Sequence, residues 1–161
     1  QKTAYEIRNC DWSSDVCSSD LDHPAVIDLA TGRRYTYGRW FLRVARLAGA
    51  LRTLGVCHGD RVMVLARNST DVYETMFACW RLGAVFMPVN WRLSATEIAD
   101  IVADATPALV VVDEEFTALL PAMPARLLRR PGDAASDYER AIAAADPVLD
   151  FASVEIGRAH V

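Results

Sequence analysis

Hydrophobic residues change their spacing several times along residues 22–154, and each change marks a boundary between predicted elements. Short apolar runs in Pro24–Leu29 (PAVIDL) and Arg33–Tyr37 (RRYTY) flank a turn at Thr31–Gly32, which predicts two short strands. The spacing then becomes helical, with Thr36 as the N-cap and Gly55 as the left-handed residue that ends the helix. The stripe that we expect to be buried recurs every three or four positions, at Phe41, Val44, Ala48 and Leu51.

Three nearly unbroken apolar runs follow, and such runs are typical of strands covered on both faces of a sheet. They are Val62–Ala66, Ala84–Met87 and Leu109–Val112. Helical patterns separate them: one covers about Asp71–Leu82 and ends at Gly83, and another opens with a capping box of Ser94 and Glu97. Strands alternating with helices through short loops predict an α/β fold, a doubly wound parallel sheet with these three runs at its centre.

The remainder of the pattern is weaker and extends the same fold. The stretch EEFTALLPAM, at 114–123, looks helical. ARLLRR, at 125–130, has the composition of a short strand, and SDYERAIAAAD, at 136–146, is helical again. No internal repeat or low-complexity segment interrupts residues 22–154.

The two ends of the chain do not share this periodicity. Asp15–Leu21 (DVCSSDL) and Glu155–Val161 (EIGRAHV) can be encoded by one inverted repeat, because the reverse complement of codons for the first translates into the second. The nucleotide string resembles a sequencing-library adapter. We therefore interpret residues 1–21 and 155–161 as adapter-like artefacts without structure, which leaves 22–154 as a truncated domain. The alternatives are a native Ser/Asp-rich tail, or a redox or metal pair at Cys10 and Cys17.

Composition excludes several classes of function. The chain has a formal net charge of −4, a single lysine at Lys2, and no acidic or basic block, which argues against nucleic-acid partners and a polybasic membrane surface. No apolar run reaches the roughly 18 residues of a membrane span. Between residues 22 and 154 only Cys57 and Cys79 remain, too few for a disulfide framework. We read both as ordinary small apolar side chains and expect a cytoplasmic protein.

Three blocks in a fixed order carry a resemblance to a known family. They are YTY at Tyr35–Tyr37, LGVCHGDRVMVLARNS at Leu54–Ser69, and ACWRLGAVFMPVNWRLSATEIADIVADATPALVVVD at Ala78–Asp113. Together they resemble the adenylate-forming (AMP-binding) superfamily, within it the acyl-CoA synthetases of the fatty-acyl and feruloyl type. No block is diagnostic alone, and the order and spacing over about Pro24–Phe116 carry the likeness. Gly38, Arg39 and His58 depart from the usual family residues at a helix start and a turn.

The resemblance implies the N-terminal subdomain of an enzyme that uses ATP and Mg²⁺ to turn a carboxylic acid into an acyl-adenylate. The acyl group then passes to coenzyme A. The family places this chemistry on a phosphate loop of the type S-G-T-T-G-x-P-K-G, a magnesium-binding acid, a ribose-binding Asp and a C-terminal lysine, none of which matches residues 22–154. We expect no catalytic or metal-binding residue in this chain, and no binding of ATP, Mg²⁺ or coenzyme A. The parent would take a fatty or aromatic acid, and the family allows a homodimer.

Asn90 and Arg92 are the best candidates for residues near a ligand. They follow the second buried run, in PVNWRL, and open α/β sheets bind ligands at the carboxyl ends of their strands. Arg92 could pair with a carboxylate or phosphate. The interpretation that we favour is structural, with both residues bracing the loop before the Ser94 helix.

We interpret the other polar and aromatic motifs as structural rather than functional. For Arg67–Thr70 (RNST), helix capping by Asn68 or Ser69 is preferred to anion binding at the helix start. For Asp113–Glu115, a favourable helix start is preferred to metal binding. The three tryptophans of this region are read as core or interface aromatics rather than substrate platforms: Trp40, Trp80 and Trp91.

Rival functions remain at this point. A fatty-acyl-AMP ligase or a peptide-synthetase adenylation domain would share most of this scaffold. A flavodoxin-like binding or receiver module belongs to another class, but a receiver needs acidic residues after its first strand, and Val62–Ala66 is followed by Arg67 and Asn68. A Rossmann dinucleotide site would need a G-x-G-x-x-G motif, which is absent.

Overall fold

The computed structural model describes residues 21–122 and 125–152. A β-hairpin opens the described chain, with β1 at Pro24–Ile27 paired antiparallel to β2 at Arg34–Thr36. Along the rest of the chain, helices and strands alternate: α1 Tyr37–Thr53, β3 Arg61–Leu65, α2 Thr70–Leu82, β4 Val85–Pro88, α3 Ala95–Ala105, β5 Leu109–Asp113, a 3₁₀ helix Glu114–Leu119, β6 Arg126–Arg129 and α4 Asp137–Ala144.

Four strands form one parallel sheet in the order β4-β3-β5-β6. The predicted doubly wound α/β architecture is therefore confirmed. One detail was wrong: the run Ala84–Met87 is not central, because within the described residues β4 is an edge strand and Val85 is 49% exposed. The crossover through α3 places β5 on the far side of β3, and β6 then adds beside β5 rather than beside β4.

Alternate residues of the strands feed two separate hydrophobic clusters, one on each face of the sheet. Val62, Val64 and Val111 pack with Leu47 and Leu51 of α1 on one face, which α2 and α4 also cover. On the other face, the side chains that pack with α3 and the 3₁₀ helix include Met63, Leu65, Val110, Val112, Ile98 and Phe116. Both faces of the sheet are buried, as the unbroken apolar runs predict.

Helix α1 agrees with the prediction except at its first turns. Thr36 is the N-cap, with its Oγ1 accepting from the Arg39 N–H at 3.4 Å, and Gly55 beyond the last turn has φ of 93°. Val44, Ala48 and Leu51 are buried as predicted. Phe41 is not: it is 47% exposed, and burial in α1 begins only at Val44.

The segment 145–152 folds back across α1 and α2. The Val148 N–H donates to the Ala45 carbonyl at 2.9 Å, and the Ala152 N–H donates to the Arg81 carbonyl at 2.9 Å. The buried Arg81 guanidinium donates to the carbonyls of Val148 and Leu149 and lies 4.0 Å from the ring centroid of Phe151. Arg81 of α2 thus binds backbone carbonyls of the segment 145–152.

Candidate functional site

The carboxyl edge of the sheet carries a buried cluster of charges. Asp113 ends β5 and Arg129 ends β6, and the strand register sets them side by side. Arg129 donates from Nε to Oδ1 of Asp113 at 2.5 Å and from Nη2 to Oδ2 at 2.8 Å. Its Nη1 donates to Asp71 Oδ2 at 2.9 Å and to Ser69 Oγ at 2.5 Å. Arg129, Asp113 and Asp71 are each 2% exposed or less, so the charged side chains at this edge are buried and paired with one another.

The cluster continues through the hairpin and the helices. Arg33, between β1 and β2, pairs with Asp71 and with Glu139 of α4. Arg43 of α1 donates two hydrogen bonds to Glu74, at 2.6 and 3.1 Å, and two to Glu139, at 2.9 and 3.0 Å. Each arginine therefore joins two elements that are far apart in the sequence.

Burial and pairing act in opposite directions on these groups. Burial raises the pKa of Glu74, although the hydrogen bonds from Arg43 act to lower it. Burial alone would lower the pKa of Arg43, but Glu74 and Glu139 raise it overall, so Arg43 remains a cation. Burial also raises the pKa of the Tyr138 hydroxyl, which donates to Glu74 Oε2 at 3.1 Å. These contacts stabilise the fold and leave no free acid or base for catalysis in this part of the cluster.

Asp28 occupies the start of α2. Its Oδ2 accepts from the Thr70 N–H at 3.4 Å and from the Thr70 hydroxyl at 3.1 Å, while its Oδ1 accepts from the N–H groups of Ala30 and Thr31. Burial would raise the pKa of Asp28, but these hydrogen bonds outweigh it and lower the pKa to about 2. The predicted capping position is confirmed, since Ser69 is the N-cap residue of α2, although its side chain makes no cap hydrogen bond.

Each acidic side chain of the run Asp113–Glu115 is paired with an arginine. Asp113 binds Arg129, and its Oδ2 also accepts from the Arg67 N–H at 2.9 Å. Glu115 pairs with Arg67 at 2.8 Å, and Glu114 pairs with Arg130 at 2.8 Å. Within 21–122 and 125–152, no three His, Cys, Asp or Glu side chains are grouped so that they could hold a metal ion. The helix predicted here begins at Glu114 and is a 3₁₀ helix, with Asp113 as its N-cap residue.

Asn90 and Arg92 lie in the loop after β4. The Asn90 Oδ1 accepts from the Arg92 N–H at 3.0 Å, and the Asn90 carbonyl accepts from the Leu93 N–H at 3.2 Å. Asn90 therefore braces the loop. The Arg92 guanidinium lies 4.3 Å from the centroid of the Trp91 ring and is exposed, and no carboxylate pairs with it in the part of the chain that the structure describes.

The three tryptophans lie at helix and loop surfaces. Trp40 and Trp80 both contact the Phe77 ring edge-on, with centroid distances of 5.3 and 5.2 Å, and Trp80 is 52% exposed. Trp91 stacks on Phe116 at 5.5 Å. Among the helices of the described ranges, none combines the length and apolar character needed to cross a membrane.

The comparison that decides the family is the match of residues 14–153 to the AMP-binding enzymes. This chain belongs to the AMP-binding enzyme family. The match begins within the segment that the inverted repeat assigns to an adapter. Of that segment only Leu21 is described, and its carbonyl accepts from the Gly38 N–H at 2.9 Å. The interpretation of residues 1–20 and 155–161 as artefacts lies outside the described residues.

Curated relatives of this chain are named as CoA ligases or synthases, or as an acyl-carrier-protein ligase. It is 40% identical over 102 residues to a fatty acid–[acyl-carrier-protein] ligase of Streptomyces coeruleorubidus, covering 63% of this chain and 19% of the relative. It is 42% identical over 90 residues to an indoleacetate–CoA ligase of Aromatoleum aromaticum, covering 56% and 18%. It is 43% identical over 110 residues to a feruloyl-CoA synthase of an Amycolatopsis species, covering 66% and 22%. The chain thus spans about a fifth of these relatives.

Solved structures share the fold of this chain. A benzoate CoA ligase from Burkholderia xenovorans aligns with a TM-score of 0.74 at 20% identity, covering 86% of this chain and 28% of that one. The N-terminal domain of FACL13 from Mycobacterium tuberculosis aligns with a TM-score of 0.71 at 25% identity, covering 88% and 36%. The parallel sheet described above is therefore the fold of the N-terminal part of such enzymes.

Proposed function

We propose that this chain is part of an ATP-dependent acid–thiol ligase, which activates a fatty or aromatic carboxylic acid as its adenylate and transfers the acyl group to coenzyme A. The observation that carries the proposal is the kind of relative that the chain matches at 40–43% identity. All three names describe the joining of a carboxylic acid to a thiol-bearing acceptor. One names an acyl-carrier protein instead of coenzyme A, so a carrier-protein acceptor is the second candidate.

The chemistry divides into two steps. A carboxylate is a poor electrophile, and its attack on the α-phosphorus of ATP displaces pyrophosphate and gives a mixed anhydride with AMP. The thiol then attacks the activated carbonyl and AMP leaves. Charge that develops on the phosphoryl oxygens must be stabilised by fixed donors, a lysine or a metal ion.

The described residues do not fit a magnesium site, because the acids at the carboxyl edge of the sheet are paired with arginines. The sequence also contains no S-G-T-T-G-x-P-K-G loop. We therefore assign the binding of Mg²⁺ and of the phosphates of ATP during adenylation to regions of the enzyme beyond this chain, and we expect the isolated chain to be catalytically inactive. The free thiols of Cys57 and Cys79 support a cytoplasmic, reducing location.

Arg92 is the residue of this chain that we place nearest to substrate. Its exposed guanidinium follows the carboxyl end of β4 and has no carboxylate partner among the described side chains. Asn90 holds the backbone of that loop and acts as a positioning residue. Arg67 provides a control, because it lies over the same Trp91 ring but is already paired with Glu115.

The test is acid-dependent exchange between ATP and labelled pyrophosphate, with a panel of fatty and aromatic acids. We expect no exchange by the 161-residue chain and clear exchange by the protein extended with the genomic sequence that follows codon 154. In the extended enzyme, Arg92→Gln should raise KM about tenfold, as for one lost charge-assisted hydrogen bond, while Arg67→Gln should leave KM unchanged. Exchange by the short chain would contradict its inactivity. No exchange by the extended enzyme with any acid would contradict the ligase assignment.

A further inference from the structure

An open cavity of about 350 Å³ lies between β2, α1 and α4. Four arginines line it. Arg34 comes from β2, and Arg39, Arg43 and Arg46 come from α1, where their spacing of four and three residues places them on one face of the helix. Because α-helices rise 1.5 Å per residue, Arg39 and Arg46 span about 10 Å along the cavity.

Three of these cations have no counter-charge. Among residues 21–122 and 125–152, five arginine side chains lack any hydrogen-bonded, ion-paired or aromatic partner: Arg34, Arg39, Arg46, Arg52 and Arg126. Three of the five line this one cavity. The Nε of Arg46 is buried with no acceptor, and an unsatisfied buried donor is costly.

The acidic residue that lines the cavity does not pair with these three arginines. Glu139 is the single acidic residue of the lining. Its Oε1 accepts from Arg33 at 2.8 Å and from Arg43 at 3.0 Å, and its Oε2 accepts from Arg43 at 2.9 Å. The lining therefore keeps three uncompensated positive charges in a chain whose formal net charge is −4. An external anion would supply the missing partner.

We propose that this cavity binds an organic phosphate. The guanidinium group presents a planar fork of donors that matches phosphate oxygens, and three forks suit a doubly charged group better than a single carboxylate. The apolar part of the ligand would lie against Leu42, Ile142 and Ala143, which complete the lining. The volume falls within the range of small-molecule sites. The proposal is independent of the ligase activity proposed above.

Isothermal titration calorimetry of the 161-residue chain tests the site with phenyl phosphate, inorganic pyrophosphate and benzoate. We expect saturable binding of phenyl phosphate at 50 mM salt, weakened at 500 mM salt because exposed charges are screened. Pyrophosphate should bind without the apolar contribution, and benzoate should bind at least about tenfold more weakly than phenyl phosphate, because it carries one charge instead of two. No saturable binding of either phosphate, or equal affinity for benzoate and phenyl phosphate, would overturn the proposal.

Matched variants locate the site. Arg34→Gln, Arg39→Gln and Arg46→Gln should each weaken binding of phenyl phosphate about tenfold, as one lost hydrogen bond to a charged group does. Arg52→Gln is the control, since Arg52 is exposed on the same helix and outside the cavity. Arg46→Lys should restore part of the affinity, because it keeps the charge and loses the fork. Circular dichroism checks that each variant is folded. If Arg46→Gln unfolds, the variants Arg34→Gln and Arg39→Gln still test the site, because both arginines are exposed. An equal loss in Arg52→Gln would overturn the location.

Discussion

At Asp28 one carboxylate stabilises two pieces of backbone at once. It accepts from the turn of the β-hairpin through Ala30 and Thr31, and from the first residue of α2 through Thr70. The apolar alternation of PAVIDL assigns this residue to a strand, and nothing in its spacing indicates a contact 42 residues away. The Asp-Leu-Ala-Thr-Gly order at residues 28–32 does favour an aspartate that accepts from the following turn. The sequence thus predicts the contact of Asp28 with the turn that follows it, but not its contact with Thr70.

Asp28 should make stability depend on pH in a narrow acidic window. Its pKa is about 2 in the folded chain against an ordinary value of 3.8, so its ionised form favours the folded state. That contribution, about 2 kcal/mol, is complete above pH 4 and is lost as the pH falls from about 4 to 2. Urea unfolding of the wild type and Asp28→Asn should therefore differ at pH 6 and converge near pH 2. Asp22→Asn, at an exposed carboxylate, is the control and should match the wild type throughout. A difference that persists unchanged at pH 2 would contradict the role of ionisation.

At the scale of elements, periodicity predicts well where packing and capping agree with it. The capping box of Ser94 and Glu97 opens α3 as predicted, with the Ser94 N–H donating to Glu97 Oε2 at 2.8 Å. The helix predicted from residue 114 is instead a short 3₁₀ helix that ends at Leu119, because Pro121 disfavours helical backbone at the residue before it. Phe41 has correct helical spacing, but spacing alone cannot tell which turns of a helix the rest of the fold covers.

Two glycines at helix ends provide a matched pair for mutation. Gly83 and Gly55 both have positive φ, 68° and 93°. A Cβ at Gly55 would meet nothing within 4 Å, whereas a Cβ at Gly83 would lie 2.3 Å from Cδ2 of His58. Gly55→Ala should cost about 1–2 kcal/mol for the left-handed backbone alone. Gly83→Ala should lower the free energy of unfolding by at least about 1 kcal/mol more than Gly55→Ala does, because the His58 ring must move.

Chemical denaturation of the two variants measures this difference. Adding His58→Ala to Gly83→Ala should recover most of the extra loss of stability, although the Cβ of Ala152 would still lie 3.1 Å from the new Cβ. Equal destabilisation by the two single substitutions would show that the contact with His58 has no energetic effect.

At the scale of the whole molecule, the fold and the family follow from the order of the sequence blocks, but the charged cluster that joins the elements does not. Arg129 belongs to a run that looks like a strand, and Asp71 and Glu74 fall on a helix whose polar positions suggest an exposed face. All three are buried, at 1%, 2% and 0% exposure. Periodicity assigns polar residues to solvent, so ion pairs between distant elements cannot be predicted from it.

This cluster should dominate the electrostatic stability of the chain. Arg129→Met would leave Asp113 and Asp71 buried without that partner, and breaking one side of a buried pair costs about 3–5 kcal/mol. Arg67→Met removes the 2.8 Å pair with Glu115, but both of those side chains are about half exposed, so the loss of stability should stay below about 1 kcal/mol. Urea unfolding at pH 7 measures both. Similar losses for the two variants would contradict the importance of burial.

The segment 145–152 has a consequence for the order in which the chain acquires its structure. Val148 donates to Ala45 across about 100 residues of intervening sequence, and Arg81 holds Val148 and Leu149 by their carbonyls. A ribosome makes α1, the hairpin and every strand of the sheet before it makes the residues that cover this face. During synthesis, the groove between α1 and α2 therefore stays open to water and to other nascent chains until almost the whole described domain has emerged.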